Sequence, residues 1–414
     1  MLKSKKQIAV IGGGAAGLCA AIEAARTANG QAEITVFEAL GRCGKKILAT
    51  GNGRCNLANT DTDLSHYHGD VSAVEDVFAH YSLQSALDFF KELGLFMRAD
   101  AAGRIYPLSN QASAVLDALR FELDRLQIQV KTEQKITDIK KHNGEWLLNG
   151  TFAADFVVLA CGGKAAPVHG SDGTGYVLAK QLCVQVEQPL PALTALVVDQ
   201  FTKALKGIRA EGSITLKCAG KVLAFSAGEI QYTDYGLSGI PAMQVSGAVS
   251  RYLSKNEKSP CQVIVDRAPS VSAEELTAFI ECAKKERPNL LCEDLLTGIM
   301  PKRLGVTVLT ECSLQPQKPL TAMNTGVIPT LVAAIKNKKY KINSVCGFAD
   351  AQVTAGGIPA CEINTQTMEL RKADGVFVCG ELVNVDGDCG GYNLLWAWNS
   401  GRLAGANAAK RCLC

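Results

Sequence analysis

Apolar residues first run unbroken after Gln7 in QIAVI (7–11), a short β-branched stretch that predicts a strand buried on both faces. GGGAAG follows at 12–17, and an alanine-rich segment to Ala28 predicts a helix. EITVFE, residues 33–38, predicts a second strand that ends on an acid. Together these form a β-α-β unit of about 30 residues. Gly12, Gly14 and Gly17 occupy its three fingerprint positions: a tight turn, a close approach to a pyrophosphate, and close helix–strand packing. Free N–H groups at the helix start would face the phosphates. Glu38, about 20 residues further on, stands where a carboxylate meets an adenosine ribose. Fingerprint, strand, helix and acid in this order predict an adenine dinucleotide site.

The pattern changes near EQPLPALTAL (187–196), where two prolines end the first segment. LTALVV, IRAEGSITLKC and KVLAFSAGEIQY then predict strands separated by turns. SAEELTAFIECAKKE (272–286) and NLLCEDLLTGIMPKRLGVTVLTEC (289–312) predict helices, the first capped by Ser272 with Glu275 three residues on. TLVAAIKNK predicts another helix, and QVTAGGI leads to GVFVCGELVNVDG (375–387), an apolar strand running into acids. A final helix is expected from about Asn393, with Trp396 and Trp398 packed as core. The expectation is an α/β protein with a discontinuous Rossmann-type domain over 1–188 and 343–414. Residues 189–342 form an insertion, β-rich over 189–267 and helical over 268–342. GSDGTG (170–175) follows no strand, so a second nucleotide domain is not expected.

Composition narrows the class. Hydrophobic residues make up 47% and charged residues 20%, and the net charge is +3, so no polyanionic partner is implied. The Lys3–Lys6 and Lys336–Lys341 clusters read as solvated surface. No stretch reaches the roughly 18 apolar residues of a membrane span, and glycines interrupt any signal-peptide core. A cytoplasmic protein is expected, without nucleic-acid or membrane partners. The 16 cysteines lack the spacing of a disulfide scaffold or a metal site, the terminal CLC included, and most read as small reduced hydrophobes.

LATGNGRCN (48–56) separates a flavin from a nicotinamide. A nicotinamide enzyme would continue with further βα units, whereas here a bare glycine-rich loop follows Glu38. Such a backbone can lie against a ring system, with Arg54 balancing its charge. Cys55, beside a flavin and an arginine, is a candidate stabilised thiolate. It has no close CxxC partner, although Cys43 lies upstream, so a packing or flavin-contact role is expected. His169 reads as a turn residue.

The motifs IGGGAAGL, GKKILATGNGRCNLAN, GRIYPLSNQASAV, VVLACGG, GSDGTGYVLAK, GLSGIPAMQVS, QVTAGGI and GELVNVDGDCGGYNLLWAWNSGRLAG span Ile11 to Gly405. In content and order they resemble the bacterial HI0933-like flavoproteins, also called the BaiN family. The resemblance implies an FAD-binding fold of the glutathione-reductase and fumarate-reductase type. On the matching positions it places FAD contacts at Gly12, Gly14, Ala15, Ala16, Gly17, Glu38, Lys45, Gly51, Arg54, Cys55 and Asn56. Further contacts are implied at Ile136, Ala160, Gly162, Gly380, Glu381, Asp386, Gly391, Tyr392 and Asn393. Glu381 and Asp386 compete for the ribityl chain, and the last helix start can face the flavin's pyrimidine end.

Flavin would supply the redox step, and the protein the substrate position and the proton. In a carbon–carbon double-bond reduction, hydride leaves flavin N5 for one carbon while an acid protonates the other. Acid candidates lie in GEIQYTDYGLSG: Tyr232, Asp234 and Tyr235, with Arg209 as a carbonyl or carboxylate clamp. The family pattern Thr-His-x-Gly is here Thr233-Asp234-Tyr235-Gly236, which speaks against a histidine acid. The leading expectation is an FAD oxidoreductase that reduces the double bond of an unsaturated carbonyl-type or hydrophobic small molecule. Electrons would come from transiently bound NAD(P)H or a redox partner protein. The alternatives are an amine or hydroxy-acid dehydrogenase, and a non-enzymatic flavin-bearing sensor or partner-binding protein.

Overall fold

The computed structural model describes residues 5–199, 203–255 and 260–413; Lys3 and Cys414, named above, lie outside them. The chain divides into two compact units, Met1–Leu190 with Gln352–Cys414, and Pro191–Ala351.

The first unit opens with β1 (Lys6–Ile11), α1 (Ala15–Ala28), β2 (Ala32–Phe37) and a short α2 (Lys45–Ala49). It continues through β3 (Tyr67–Gly69), β4 (Gln129–Lys131), β5 (Phe156–Leu159) and α3 (Thr174–Gln181). The second unit contains β6 (Leu196–Val198), β7 (Arg209–Cys218), β8 (Lys221–Tyr232), β9 (Gly236–Gly239), α4 (Ile240–Lys255) and β10 (Cys261–Asp266). α5 (Ala273–Glu286), α6 (Lys302–Glu311), α7 (Ile328–Lys336) and β11 (Lys338–Val345) complete it. The chain returns to the first unit as β12 (Val353–Gly357), β13 (Ile363–Asn364), β14 (Glu369–Leu370), β15 (Val376–Val378), β16 (Val385–Gly387) and α8 (Tyr392–Leu413).

The first unit is built on a seven-stranded sheet in the order β13-β14-β15-β5-β1-β2-β4. β15, β5, β1, β2 and β4 run parallel; β14 pairs antiparallel with β15, and β13 in turn antiparallel with β14. Parallel strands need cover on both faces, which is why β1 and β5 read as unbroken apolar runs. Ile8, Val10, Val157, Val158 and Leu159 are all buried. α1 and α8 pack closely because α8 presents glycines to α1: a Cβ at Gly401 would overlap the Ala16 carbonyl, and one at Gly405 the Ala20 carbonyl.

In the second unit, β6-β9-β8-β7-β10-β11 close into an antiparallel barrel. The capping box expected at Ser272 forms, with Ser272 Oγ accepting from Glu275 N and Glu275 returning a bond to Ser272 N. Two expectations are corrected here. The segment 289–312 is not one helix: Pro301 cannot sit inside a helix without breaking it, so only α6 after it is helical, with a single 3-10 turn at Cys292–Asp294. The β-rich and helical parts do not divide at 267/268, because β11 returns after α7 to close the barrel. Cys218 and Cys261 face each other across β7 and β10 as a disulfide, outside the reduced majority expected of the cysteines.

In the first unit, 375–387 is not a continuous strand. It breaks into β15, a 3-10 turn at Gly380–Leu382, and β16. Gly380 has φ +67°, and a Cβ there would press on Ala16 at 2.8 Å. The sequence reading also missed a three-stranded meander (Ile139–His142, Glu145–Leu148, Phe152–Ala154) behind Trp146.

Candidate functional site

The site grows out of the turn between β1 and α1. Gly12 has φ +109° and donates its N–H to Phe37 O at 2.8 Å, tying the turn to β2. A Cβ at Gly17 would overlap the Gly12 carbonyl, so only glycine lets α1 start this close to the strand. Gly14 differs: a Cβ there meets nothing within 4 Å, and no side chain caps the helix it begins. The first turn of α1, Ala15 to Gly17, thus opens beside free space with helix-end N–H groups, the arrangement that receives a phosphate.

Glu38 is 8% exposed, and its carboxylate accepts from Gly13 N at 2.9 Å and Leu40 N at 2.8 Å. The two bonds hold it beside the fingerprint turn, each oxygen keeping a further lone pair for a ribose hydroxyl. Ala160, at the end of β5, donates to Ile11 O, and Gly162 follows with φ +71°. A Cβ at Gly162 would stand 3.0 Å from Ser171 Oγ, a buried hydroxyl with no hydrogen-bond partner. Buried Ile136 lies on the segment whose Gln134 N donates to Glu38 O.

The GNGRCN loop forms the second wall. α2, with Lys45 as its first residue, begins after Gly44, whose N–H donates to Gly13 O at 2.8 Å. Gly51, Asn52, Gly53 and Cys55 all have positive φ, a conformation that costs non-glycine residues energy. The loop is therefore held by its surroundings. Arg54 lies over the Tyr106 ring at 4.6 Å and stays exposed. Asn56 Oδ1 is buried with no partner. An orphaned amide oxygen here, the Ser171 hydroxyl and the open face at Gly14 fit a large polar cofactor such as FAD.

Cys55 is fully buried, and burial pushes its thiol up to about 12. The stabilised thiolate considered from sequence is therefore corrected: no cation offsets the desolvation, and Arg54 points to Tyr106 instead. Cys43 is likewise free, buried against Gly13, with its thiol also pushed up to about 12 by burial. Cys55→Ser should retain FAD and most of its turnover, and native Cys55 should resist iodoacetamide at pH 8. Complete loss of turnover with FAD still bound would make Cys55 a redox partner.

The C-terminal elements supply the third wall. Trp396 Nε1 donates to Gly380 O at 2.9 Å, and Trp398 Nε1 to Leu57 O at 3.1 Å, so both rings are core that pins α8 to the Gly380 turn and the loop at Leu57. Asn393 clamps the turn before α8, accepting from Gly387 N at 2.8 Å and donating to Gly387 O at 2.7 Å. A Cβ at Gly391 would overlap the Ala58 carbonyl, and Tyr392 is 4% exposed. Glu381 is already engaged, by Lys46 Nζ at 2.7 Å and Thr354 N at 2.7 Å. Asp386 is buried in β16, paired in register with His68.

The candidate acids all lie in the second unit and do not share one environment. Tyr232 is fully buried; desolvation raises its phenol's pKa, with Arg267 beside it, so it serves the barrel core. Asp234 is exposed and paired with Lys206 at 2.8 Å, a hydrogen bond that holds its carboxyl below the usual range. Tyr235, on the same β8–β9 turn, is 42% exposed, and partial burial pushes its phenol up to about 12. Arg209 pairs with Glu229 at 3.1 Å across β7 and β8. His169 ends a 3-10 turn, donating its N–H to Ala166 O.

One cluster escaped the sequence reading. His66 Nδ1 meets Asp388 Oδ2 at 3.0 Å, His66 Nε2 meets Asp61 Oδ2 at 3.1 Å, and His68 Nε2 meets Asp388 Oδ1 at 2.8 Å. The signal lay in SHYHGD: two of the chain's five histidines, spaced two apart as residues on one face of a strand are.

Residues 6–407 match the model of the HI0933-like protein Rossmann domain. The chain belongs to the HI0933-like family. Among its relatives, a 3-dehydro-bile acid delta(4,6)-reductase of Clostridium scindens is 39% identical over 98% of this chain and 99% of its own. A ribosomal RNA dihydrouridine synthase of Haemophilus influenzae is 27% identical over 94% and 95% of the two chains. In fold, the chain is similar to a variant of the quinol fumarate reductase subunit FrdA of E. coli, with TM-score 0.50, 20% identity and coverage of 99% of this chain and 70% of that one. As an HI0933-like protein, the chain is an FAD-dependent oxidoreductase on a Rossmann-type fold. Among the described residues no helix is long and apolar enough to cross a membrane.

Proposed function

We propose that this protein reduces a carbon–carbon double bond conjugated to a carbonyl in a hydrophobic small molecule. The observation that carries the reading is the 39% identity, over nearly the full length of both chains, to the C. scindens delta(4,6)-reductase. FAD, when bound, supplies the hydride from its N5. The residues assigned to it are the fingerprint Gly12 to Gly17, Glu38, Lys45, the 51–56 loop, Ile136, Ala160, Gly162, Gly380, Glu381, Asp386 and the turn Gly391 to Asn393. Of the three acid candidates in the second unit, Tyr235 is the proton donor assigned, because it is part-exposed and keeps its proton at neutral pH, whereas Asp234 is ionised and Tyr232 is buried. Arg209 would orient the carbonyl. Electrons would come from NAD(P)H or a redox protein in a cytoplasmic setting.

The relatives named dihydrouridine synthases support a second reading, in which the reduced bond is the C5=C6 bond of a uracil in RNA. It shares the chemistry, since that bond is also conjugated to a carbonyl. The surface speaks against it: in the Lys336–Lys341 run, Lys336, Lys338 and Lys341 are paired with Asp266, Glu311 and Asp199. Anaerobic mixing of the reduced protein with a panel of cyclic enones, dienones, unsaturated acids and uridine-containing RNA separates the readings. Flavin reoxidation by the enones or dienones alone is expected. Reoxidation by RNA alone would replace the first reading with the second, and reduction of oxidised flavin by amines would replace both.

A further inference from the structure

We propose that His66 is a positioning residue whose protonated ring locks the 387–391 turn, and with it Tyr392 and Asn393, at the flavin end of the cofactor site. The inference rests on the assignment of that turn to FAD. A ring whose two nitrogens each face a carboxylate must carry two N–H groups, so the geometry at His66 is that of an imidazolium. It bridges Asp61, on the loop before β3, to Asp388, on the turn before α8. His68 shares the second Asp388 oxygen, Asp388 N donates to His66 O at 2.9 Å, and the His66 ring stacks on Tyr392 at 4.4 Å. Tyr67 OH donates to Tyr392 O at 3.2 Å from the same strand. Asn393 adds a bond to Asp388 O at 3.3 Å. Five contacts from residues 66–68 thus converge on Asp388 and Tyr392, and the turn leads into the helix assigned to the cofactor side.

The groups facing His66 are Asp61 and Asp63 on its own loop, Asp388 before α8 and the stacked Tyr392 ring, with His68 on β3 sharing Asp388. Burial alone would lower the His66 pKa, but the hydrogen bonds to Asp388 and Asp61 outweigh it and raise it. A raised folded-state pKa means the bridge is complete below the ordinary histidine range and is lost as pH rises through the folded value. The deprotonated ring can donate to only one carboxylate, and the turn loosens.

The test follows FAD release from the holoprotein between pH 5 and pH 9 for wild type, His66→Phe and His66→Gln. Wild type should release FAD about tenfold faster at the alkaline end, with an inflection at the His66 pKa read by NMR. His66→Phe keeps the ring stack without the bridge, so it should release FAD at the fast rate throughout and show no inflection. His66→Gln, able to donate to one carboxylate, should fall between them. A wild-type inflection that survives in His66→Phe overturns the proposal. Amide-exchange protection of residues 387–391, measured without cofactor, reads the lock independently of FAD. Protection that falls with pH in wild type and is low at every pH in His66→Phe supports it, and equal protection in both proteins overturns it. A wild type that binds no FAD overturns the cofactor assignment instead, and the exchange result still decides the lock.

Discussion

Gly405→Ala is expected to lower stability by about 2–3 kcal/mol and to leave most of the purified protein without FAD. A methyl group at 405 lands on the Ala20 carbonyl, a backbone atom inside α1 that no side-chain rotation can clear. Helix propensity works the other way, favouring alanine over glycine by about 1 kcal/mol, so a net loss can come only from the contact. α1 must then slide or tilt, and its first turn carries Ala15, Ala16 and Gly17. Gly401→Ala, against the Ala16 carbonyl, should be at least as damaging to cofactor retention because it acts on that turn directly. Gly298→Ala, where a Cβ meets nothing within 4 Å, is the control. Urea midpoints and flavin absorbance per protein are the measurements, and wild-type values for both in Gly405→Ala would refute the packing argument.

Glu38→Ala should weaken FAD binding about ten- to a hundredfold, the equivalent of about 1.5–3 kcal/mol for hydrogen bonds to a charged acceptor. The structure adds a second cost. The carboxylate also holds the Gly13 and Leu40 amides, so the apoprotein loses stability along with its ribose ligand. Glu38→Gln separates the two, because one amide oxygen can still accept from one N–H while the charge is gone. Fluorescence titration of the apoprotein with FAD gives the affinities, and thermal unfolding without FAD gives the structural share. Unchanged affinity in both variants would remove Glu38 from the ribose site.

The dinucleotide turn was legible from sequence because each of its parts is enforced locally. Glycine is the only residue that fits at 12 and 17, β1 carries an unbroken apolar run, β2 alternates buried Ile34 and Val36 with polar residues, and Glu38 closes the second strand. β8 and α5 were legible for similar reasons, one through its bounding turns and the other through its capping box. What escaped was decided by contacts distant in sequence. The Gly380 break depends on Ala16, and the fate of Cys55 depends on burial that no neighbouring residue announces. Tyr232 looked like a proton donor beside Asp234, yet strand alternation turns it into the barrel core while the next residues stay on the surface turn. His66 and Asp388 lie 322 positions apart and meet only because β3 pairs with β16.

The order of the first unit's sheet has a consequence for how the protein is made. β1, β2, β4 and β5 leave the ribosome early, but β15, β14 and β13, which extend the same sheet, come after the whole second unit. α8, which packs on α1 and pins both Gly380 and Leu57, is synthesised after all of these strands. The barrel strands, by contrast, form one contiguous block from 196 to 345 and can close during translation. The first half of the sheet therefore waits with an exposed apolar edge until β15 follows the whole second unit. Nascent chains stalled before residue 392 should need chaperone protection and capture no cofactor, which makes flavin loading a late, post-translational event.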